Sequence, residues 1–364
     1  MADMFDYLTW RGDIPFSQVP PGPVDSLIFC TLSYIEFNGI APETPYQWIT
    51  LEQAAAKLLV DPLAPKKVRV EKDLELLAVA ASCPRFQKVG LCFYRDIFIR
   101  EEDTQFAAMT FYLDDGSAFL AFRGTDKTLV GWREDFNMTF LDSIPAQRLA
   151  KQYVLEFSAA SRAPIHLGGH SKGGNLAIYA AAKVPDAVQD QILGVYNHDG
   201  PGFTEKILTE SGYLNIVPKI HTYVPQSSVF GMLLEREEPH TIIRSRAIGL
   251  LQHDPYTWEM MGGGFIEEAK FTADSRFLDR TFKTWLAGMT TGERYQFFDT
   301  LFDLLMTEDA SRPLDIFKPQ NLKAYIQSLT TDGNARRIIG SELENLIQSA
   351  KAVQLVDEEL KKDQ

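Results

Sequence analysis

The 364-residue sequence has only three cysteines, Cys30, Cys83 and Cys92, each in a mainly apolar stretch. No pair has metal-ligand spacing, and an odd, low count does not make a disulfide framework, so they read as structural thiols of a reducing compartment. The opening Met-Ala-Asp-Met-Phe-Asp-Tyr lacks a basic segment followed by an apolar run, so no secretory leader is expected. No stretch is long and apolar enough to span a bilayer. Cationic surplus is missing as well. Against 36 Lys and Arg stand 49 Asp and Glu, a formal net charge of -13, which argues against nucleic acid or an anionic membrane as main partner. Internal repeats, low-complexity segments and the Gly-x-x-x-x-Gly-Lys-Ser/Thr nucleotide loop are also absent. The default expectation is a cytoplasmic protein without stable membrane insertion, its oligomeric state open.

Hydrophobic residues at 45% and charged residues at 23% are ordinary globular values, and the length suffices for a substantial core. Residues 10–25 carry Pro15, Pro20, Pro21 and Pro23 and read as an extended lead-in. Residues 25–40 read as a buried helix with Asp25 as a candidate N-cap, and 50–82 as mostly helical, with Thr50 capping a helix from Leu51. Phe106–Leu113, the turn Asp114–Ser117 and Ala118–Phe122 form a strand, a tight turn and a strand. A helix over 142–162, interrupted early by Pro145, leads to a strand at Pro164–Leu167. The glycine-rich turn Gly168–Gly174 and an alanine-rich helix Asn175–Lys183 follow. Further strands are read at Ile192–Tyr196, Lys219–Val224 and His240–Arg244. Strands alternating with helices imply an α/β fold, a mostly parallel sheet with helices on both faces. From about Gly264 the pattern is helical, with Thr290 and Ser341 as caps and a charged, frayed end over 358–364. Residues 1–100 then form a mainly helical part packed on the core, 101–263 an α/β core carrying the site, and 264–364 a helical C-terminal extension, all one continuous domain.

Gly169-His170-Ser171-Lys172-Gly173 matches Gly-x-Ser-x-Gly between an apolar strand and a helix of small residues. A nucleophilic serine on such a turn needs neighbours without colliding side chains, which Gly169, Gly173 and Gly174 supply. Ser171 then lies at a helix N-terminus, where free N–H groups favour a developing oxyanion. One donor is the backbone of Lys172, the residue after the nucleophile; the other must come from a loop at the end of a neighbouring strand.

That loop is in Phe122-Arg123-Gly124-Thr125, followed by Trp132 and Asp135. Together with Gly169–Ala177 it resembles the class 3 lipases. The longer run through Tyr196–Phe203, Tyr223–Leu234 and Gly249–Trp258 is similar to the bacterial Mbeg1-like family over most of the chain. The resemblance implies an α/β-hydrolase fold and gives Thr125 the second oxyanion N–H. Arg123 reads as an ion-pair residue, with Asp135 as candidate partner.

In that fold the order is serine, acid, histidine, with the histidine on a loop after the last strand. Of six histidines, His166 and His170 precede Ser171, while His198 and His221 lie too early. His253 is the expected base, with His240 in reserve. In the lipases the acid follows the strand after the next one. Here that loop, Val224–Ser228, has no carboxylate, so the acid is expected one strand earlier, at Asp199. If Asp199 points away, Ser227 or Ser228 orients the histidine; Asp254, adjacent to His253, is badly placed to do so. The expected function is a serine hydrolase cleaving carboxylic esters, lipid esters included, through an acyl-enzyme and without metal or cofactor. The partner is a small-molecule acyl ester. Lys127–Gly131 is too short for an amphipathic lid, so Val229–Leu234 or the C-terminal helices are candidates to roof the site. The alternative is a non-catalytic binding or scaffold protein of the same fold, favoured by the loop that lacks a carboxylate.

Overall fold

Eight strands form one sheet whose spatial order follows the chain: β1 (Ile49–Thr50), β2 (Gly90–Ile99), β3 (Thr104–Tyr112), β4 (Ala118–Phe122), β5 (Ile165–His170), β6 (Ile192–His198), β7 (Ile220–Pro225) and β8 (His240–Ile243). The first four run antiparallel, and β4 through β8 are parallel. The computed structural model describes residues 2–125, 129–305, 325, 330 and 332–362.

The strands split their side chains between two cores with the expected period of two. Met109, Phe111, Phe119 and Ala121 belong to one, and Phe106, Ala108, Ala118, Leu120 and Phe122 to the other. A parallel sheet built in chain order with connections of one hand stacks its crossover helices on a single face. Here Pro145–Ala160, Lys172–Lys183 and Ser211–Ile216 pack together on one side. The opposite face would be bare without the N-terminal quarter of the chain. Helices Met4–Arg11, Pro23–Leu32, Leu51–Leu58 and Glu71–Ser82 cover it.

Several local readings hold and several shift. Thr50 caps its helix through Gln53 N at 3.2 Å, and the 113–117 turn closes the β3–β4 hairpin. The buried helix runs Pro23–Leu32, not 25–40. Pro23 is preset for its first turn, and Ser33 turns its hydroxyl back onto the Cys30 carbonyl at 2.7 Å where the helix ends. Asp25 is therefore inside that first turn rather than at the cap. Its buried carboxylate takes Arg85 Nε and Nη2 at 2.8 and 2.7 Å and Tyr7 Oη at 2.9 Å. Strand β2 was not foreseen: a register shift between Cys92 and Arg95 breaks its alternation. Pro145 starts its helix instead of interrupting one. Gly168 and Gly169 belong to β5, and the following helix begins at Lys172.

Gly264 lies in a short hairpin, Met260–Met261 with Gly264–Phe265, and the C-terminal part includes the helices Ala273–Ala287, Thr291–Leu305 and Gly333–Lys362. Thr290 accepts from Glu293 N at 3.3 Å as a cap, whereas Ser341 falls inside the last helix. That helix reaches Lys362, so the expected frayed end falls within it, and residues 363–364 lie outside the described ones. Trp285, Met289, Phe297, Phe298, Phe302, Ile338 and Ile339 form a core of their own, which Phe136 and Phe140 join from helix Leu129–Asn137 and the turn after it. No described helix is long and apolar enough to cross a membrane.

The Asp25–Arg85 pair ties the covering helices to the start of the sheet. Removing one partner leaves a buried charge, so Arg85→Ala should lower stability by about 3–5 kcal/mol in urea denaturation. A loss below about 0.5 kcal/mol would show that the pair is not an anchor.

Candidate active site

Strand β5 delivers the chain to Ser171 with φ 59° and ψ -134°, a conformation that L-residues adopt only under strain. The turn is tight enough that a Cβ on Gly169 would sit 2.0 Å from the Gly173 carbonyl carbon. Ser171 N donates to the His198 carbonyl at 2.9 Å, which binds the turn to β6. A Cβ on Gly124 would lie 2.5 Å from His170 O and 3.1 Å from Ser171 Cβ, so the Arg123–Thr125 loop passes directly beside the serine.

Asp199 follows β6, also at positive φ (56°), with its N–H on the Tyr223 carbonyl at 2.9 Å. The carboxylate is fully buried. Oδ2 lies 2.6 Å from His253 Nδ1, and Oδ1 accepts the Ser228 hydroxyl at 2.5 Å. His253 ends a 3₁₀ turn, Gly249–His253, and its ring lies between Phe230 and His170, each at 4.6 Å between centroids. His170 Nε2 donates to the His253 carbonyl at 2.8 Å, which fixes the tautomer, and Nδ1 then accepts from Tyr34 Oη at 2.9 Å. The His253 ring is thus held at Nδ1 by a carboxylate and packs against Phe230, and its main-chain carbonyl is held by His170.

Ser171, His253, Thr125 and Lys172 all line one cavity of about 170 Å³. Trp132, Phe136, Met138, Phe230, Leu233 and Leu234 give it an apolar wall, and Tyr34 and Arg69 stand among its polar lining. Segment Val229–Leu234 therefore contributes to the wall, while no described residue beyond His253 does. Of Lys127–Gly131, the segment too short for a lid, residues 127 and 128 lie outside the described ones.

The profile of the Mbeg1-like family matches residues 80–303. The chain belongs to the Mbeg1-like family. None of the curated proteins matches it. In this Mbeg1-like chain the remaining expected residues are distributed as follows. Asp254 caps the next turn at Tyr256 N and pairs with Arg69 at 3.3 Å. Ser228 bonds Asp199 rather than His253, and Ser227 pairs with Thr272 at 3.0 Å. His240 is exposed on β8, stacked on Phe271, and does not line the cavity. Arg123 pairs with Asp96 at 2.8 Å, not through the expected ion pair with Asp135; the Asp135 carboxylate accepts the Thr125 hydroxyl. Among the described residues no group of three or more His, Cys, Asp or Glu is arranged to hold a metal. Tyr34, Arg69 and Glu134 were not anticipated. Tyr34 and Arg69 lie far from the motifs in sequence, and Glu134, although next to Asp135, has partners, Lys172 and Gln105, that no local pattern marks.

The other buried histidines are kept neutral. Burial pushes His166 down to about 4 and His198 to about 3, and burial with His253 alongside holds His170 well below the ordinary 6.5. Each gains a proton on unfolding near pH 6.5, so the unfolded state binds more protons there. Stability is complete above that pH and falls as pH drops through 6.5 towards 4. Between pH 7.5 and 5.5 stability should fall, by on the order of 1 kcal/mol for each histidine held neutral in the fold. Urea denaturation at the two pH values checks this, and equal stability at both would contradict it.

Proposed function

We propose that the chain is a serine hydrolase of carboxylic esters, an α/β-hydrolase related to the class 3 lipases, with Ser171 as nucleophile. The observation that carries this reading is the 2.6 Å contact of His253 Nδ1 with the buried Asp199 carboxylate, on a histidine sharing a cavity with a serine in a strained strand–helix turn. Ser171 Oγ attacks the acyl carbon while His253 Nε2 takes its proton. Asp199 stabilises the resulting imidazolium, and the N–H groups of Thr125 and Lys172 receive the oxyanion. The imidazolium then protonates the leaving alkoxide. Water, activated by the same histidine, releases the acid from the acyl-enzyme. The reaction as written uses no metal or cofactor.

The apolar wall formed by Phe136, Met138, Phe230, Leu233 and Leu234 suits a hydrocarbon acyl chain, which keeps lipid esters among the candidate substrates. Three unpaired cysteines fit a reducing compartment such as the cytoplasm. The alternative of a non-catalytic binding protein rested on the missing carboxylate after β7. The contact of His253 Nδ1 with the Asp199 carboxylate, which offers a carboxylate from the preceding strand, supports the hydrolase reading over that alternative.

Short p-nitrophenyl esters test the proposal. The protein should hydrolyse them, Ser171→Ala should abolish turnover, and Asp199→Asn should lower kcat by about 10³–10⁴-fold. Absence of hydrolysis across acyl lengths, or undiminished turnover in Ser171→Ala, would overturn it.

A further inference from the structure

The residue after the serine carries a feature that its backbone role leaves unexplained. The Lys172 side chain has no exposed surface, yet it is charged and fully engaged. Nζ donates to Glu134 Oε2 at 2.8 Å, to Gln105 Oε1 at 2.9 Å and to Gln105 O at 3.0 Å. Glu134 is equally buried and also accepts from Ala146 N at 3.0 Å and Gln105 N at 3.2 Å. The ammonium spends its three protons on three acceptors, so its position is determined to within hydrogen-bond tolerance.

The network joins four parts of the site. Lys172 opens the helix behind Ser171, Gln105 is in β3, Ala146 begins the next crossover helix, and Glu134 is on helix Leu129–Asn137. Next to Glu134 in the chain, Asp135 takes the Thr125 hydroxyl and places Oδ1 3.7 Å from the same Nζ. The two backbones proposed to hold the oxyanion therefore belong to segments tied to each other by one buried cation. A buried ion pair is a poor source of stability, because apolar side chains of similar volume commonly do as well. What it supplies here is fixed relative position.

We propose that Lys172 and Glu134 are positioning residues for ester hydrolysis: their ion pair holds the Thr125 loop and the Ser171–Lys172 turn at the spacing the oxyanion requires. The Lys172 ammonium never touches substrate and acts through its own main chain and through Asp135. The inference rests on the hydrolase reading above.

The test is a neutral pair, Lys172→Met with Glu134→Gln, which leaves no unpaired buried charge and keeps an amide oxygen for Ala146 N. On a short p-nitrophenyl ester, kcat should fall about 10–100-fold with KM within about threefold, while thermal unfolding stays cooperative. If the double variant does not unfold cooperatively, Glu134→Gln alone carries the test, with the same direction expected in kcat. A folded variant with kcat within twofold of the unmutated protein, or a rise in KM alone, overturns the proposal and leaves the pair as packing. Absence of turnover in the unmutated protein is a different result: it strikes the hydrolase reading itself.

Discussion

The buried carboxylate of Asp199 holds the site together. One oxygen faces His253 Nδ1 and the other accepts from Ser228, so three loops, after β6, β7 and β8, converge on a single charge with no exposed surface. Stripped of either partner, that charge would be stranded in a desolvated place, at a cost of several kcal/mol. The loop bearing Ser228 has to close over Asp199, and Gly231 fits because its backbone runs so near that a Cβ would lie 2.2 Å from Oδ1. The same segment then turns Phe230 onto the His253 ring and Leu233 and Leu234 into the cavity wall. Histidine orientation and pocket shape thus follow from one electrostatic requirement.

The rest of the fold supplies rigid backing. The antiparallel strands extend the sheet on one side, and the N-terminal helices cover the face that the crossovers leave bare. This covering layer also reaches the site: Tyr34, just past helix Pro23–Leu32, bonds His170, which in turn holds the His253 carbonyl. On the other side of the cavity, helix Leu129–Asn137 presents Trp132, Asp135 and Phe136. Its Phe136 stacks on Phe298 of the C-terminal helices at 4.7 Å, and Arg133 pairs with Asp103 at 3.1 Å and with Asp299 and Asp303. The C-terminal extension therefore braces the cavity wall from behind.

Much of this could be read from the sequence, for identifiable reasons. The turn at Ser171 was legible because its geometry demands glycine at fixed offsets. That His253 and Asp199 meet was legible because strand order restricts which loops converge at that end of the sheet. Strand β2 escaped because a bulge destroys its period. Asp25 was misread because a carboxylate in the first helical turn looks like a cap, whereas its partner Arg85 is sixty positions away. Tyr34, Arg69 and the Lys172–Glu134 pair were illegible for the same reason: long-range pairing between single residues leaves no local pattern.

The central claim, that Ser171 is a nucleophile activated by His253, is tested most directly by covalent capture. Incubating the native protein with a fluorophosphonate and mapping the adduct by peptide mass spectrometry should place one phosphonyl group on Ser171, and none should form in His253→Ala on the same timescale. An unlabelled native protein, or an adduct on another residue, would contradict the account.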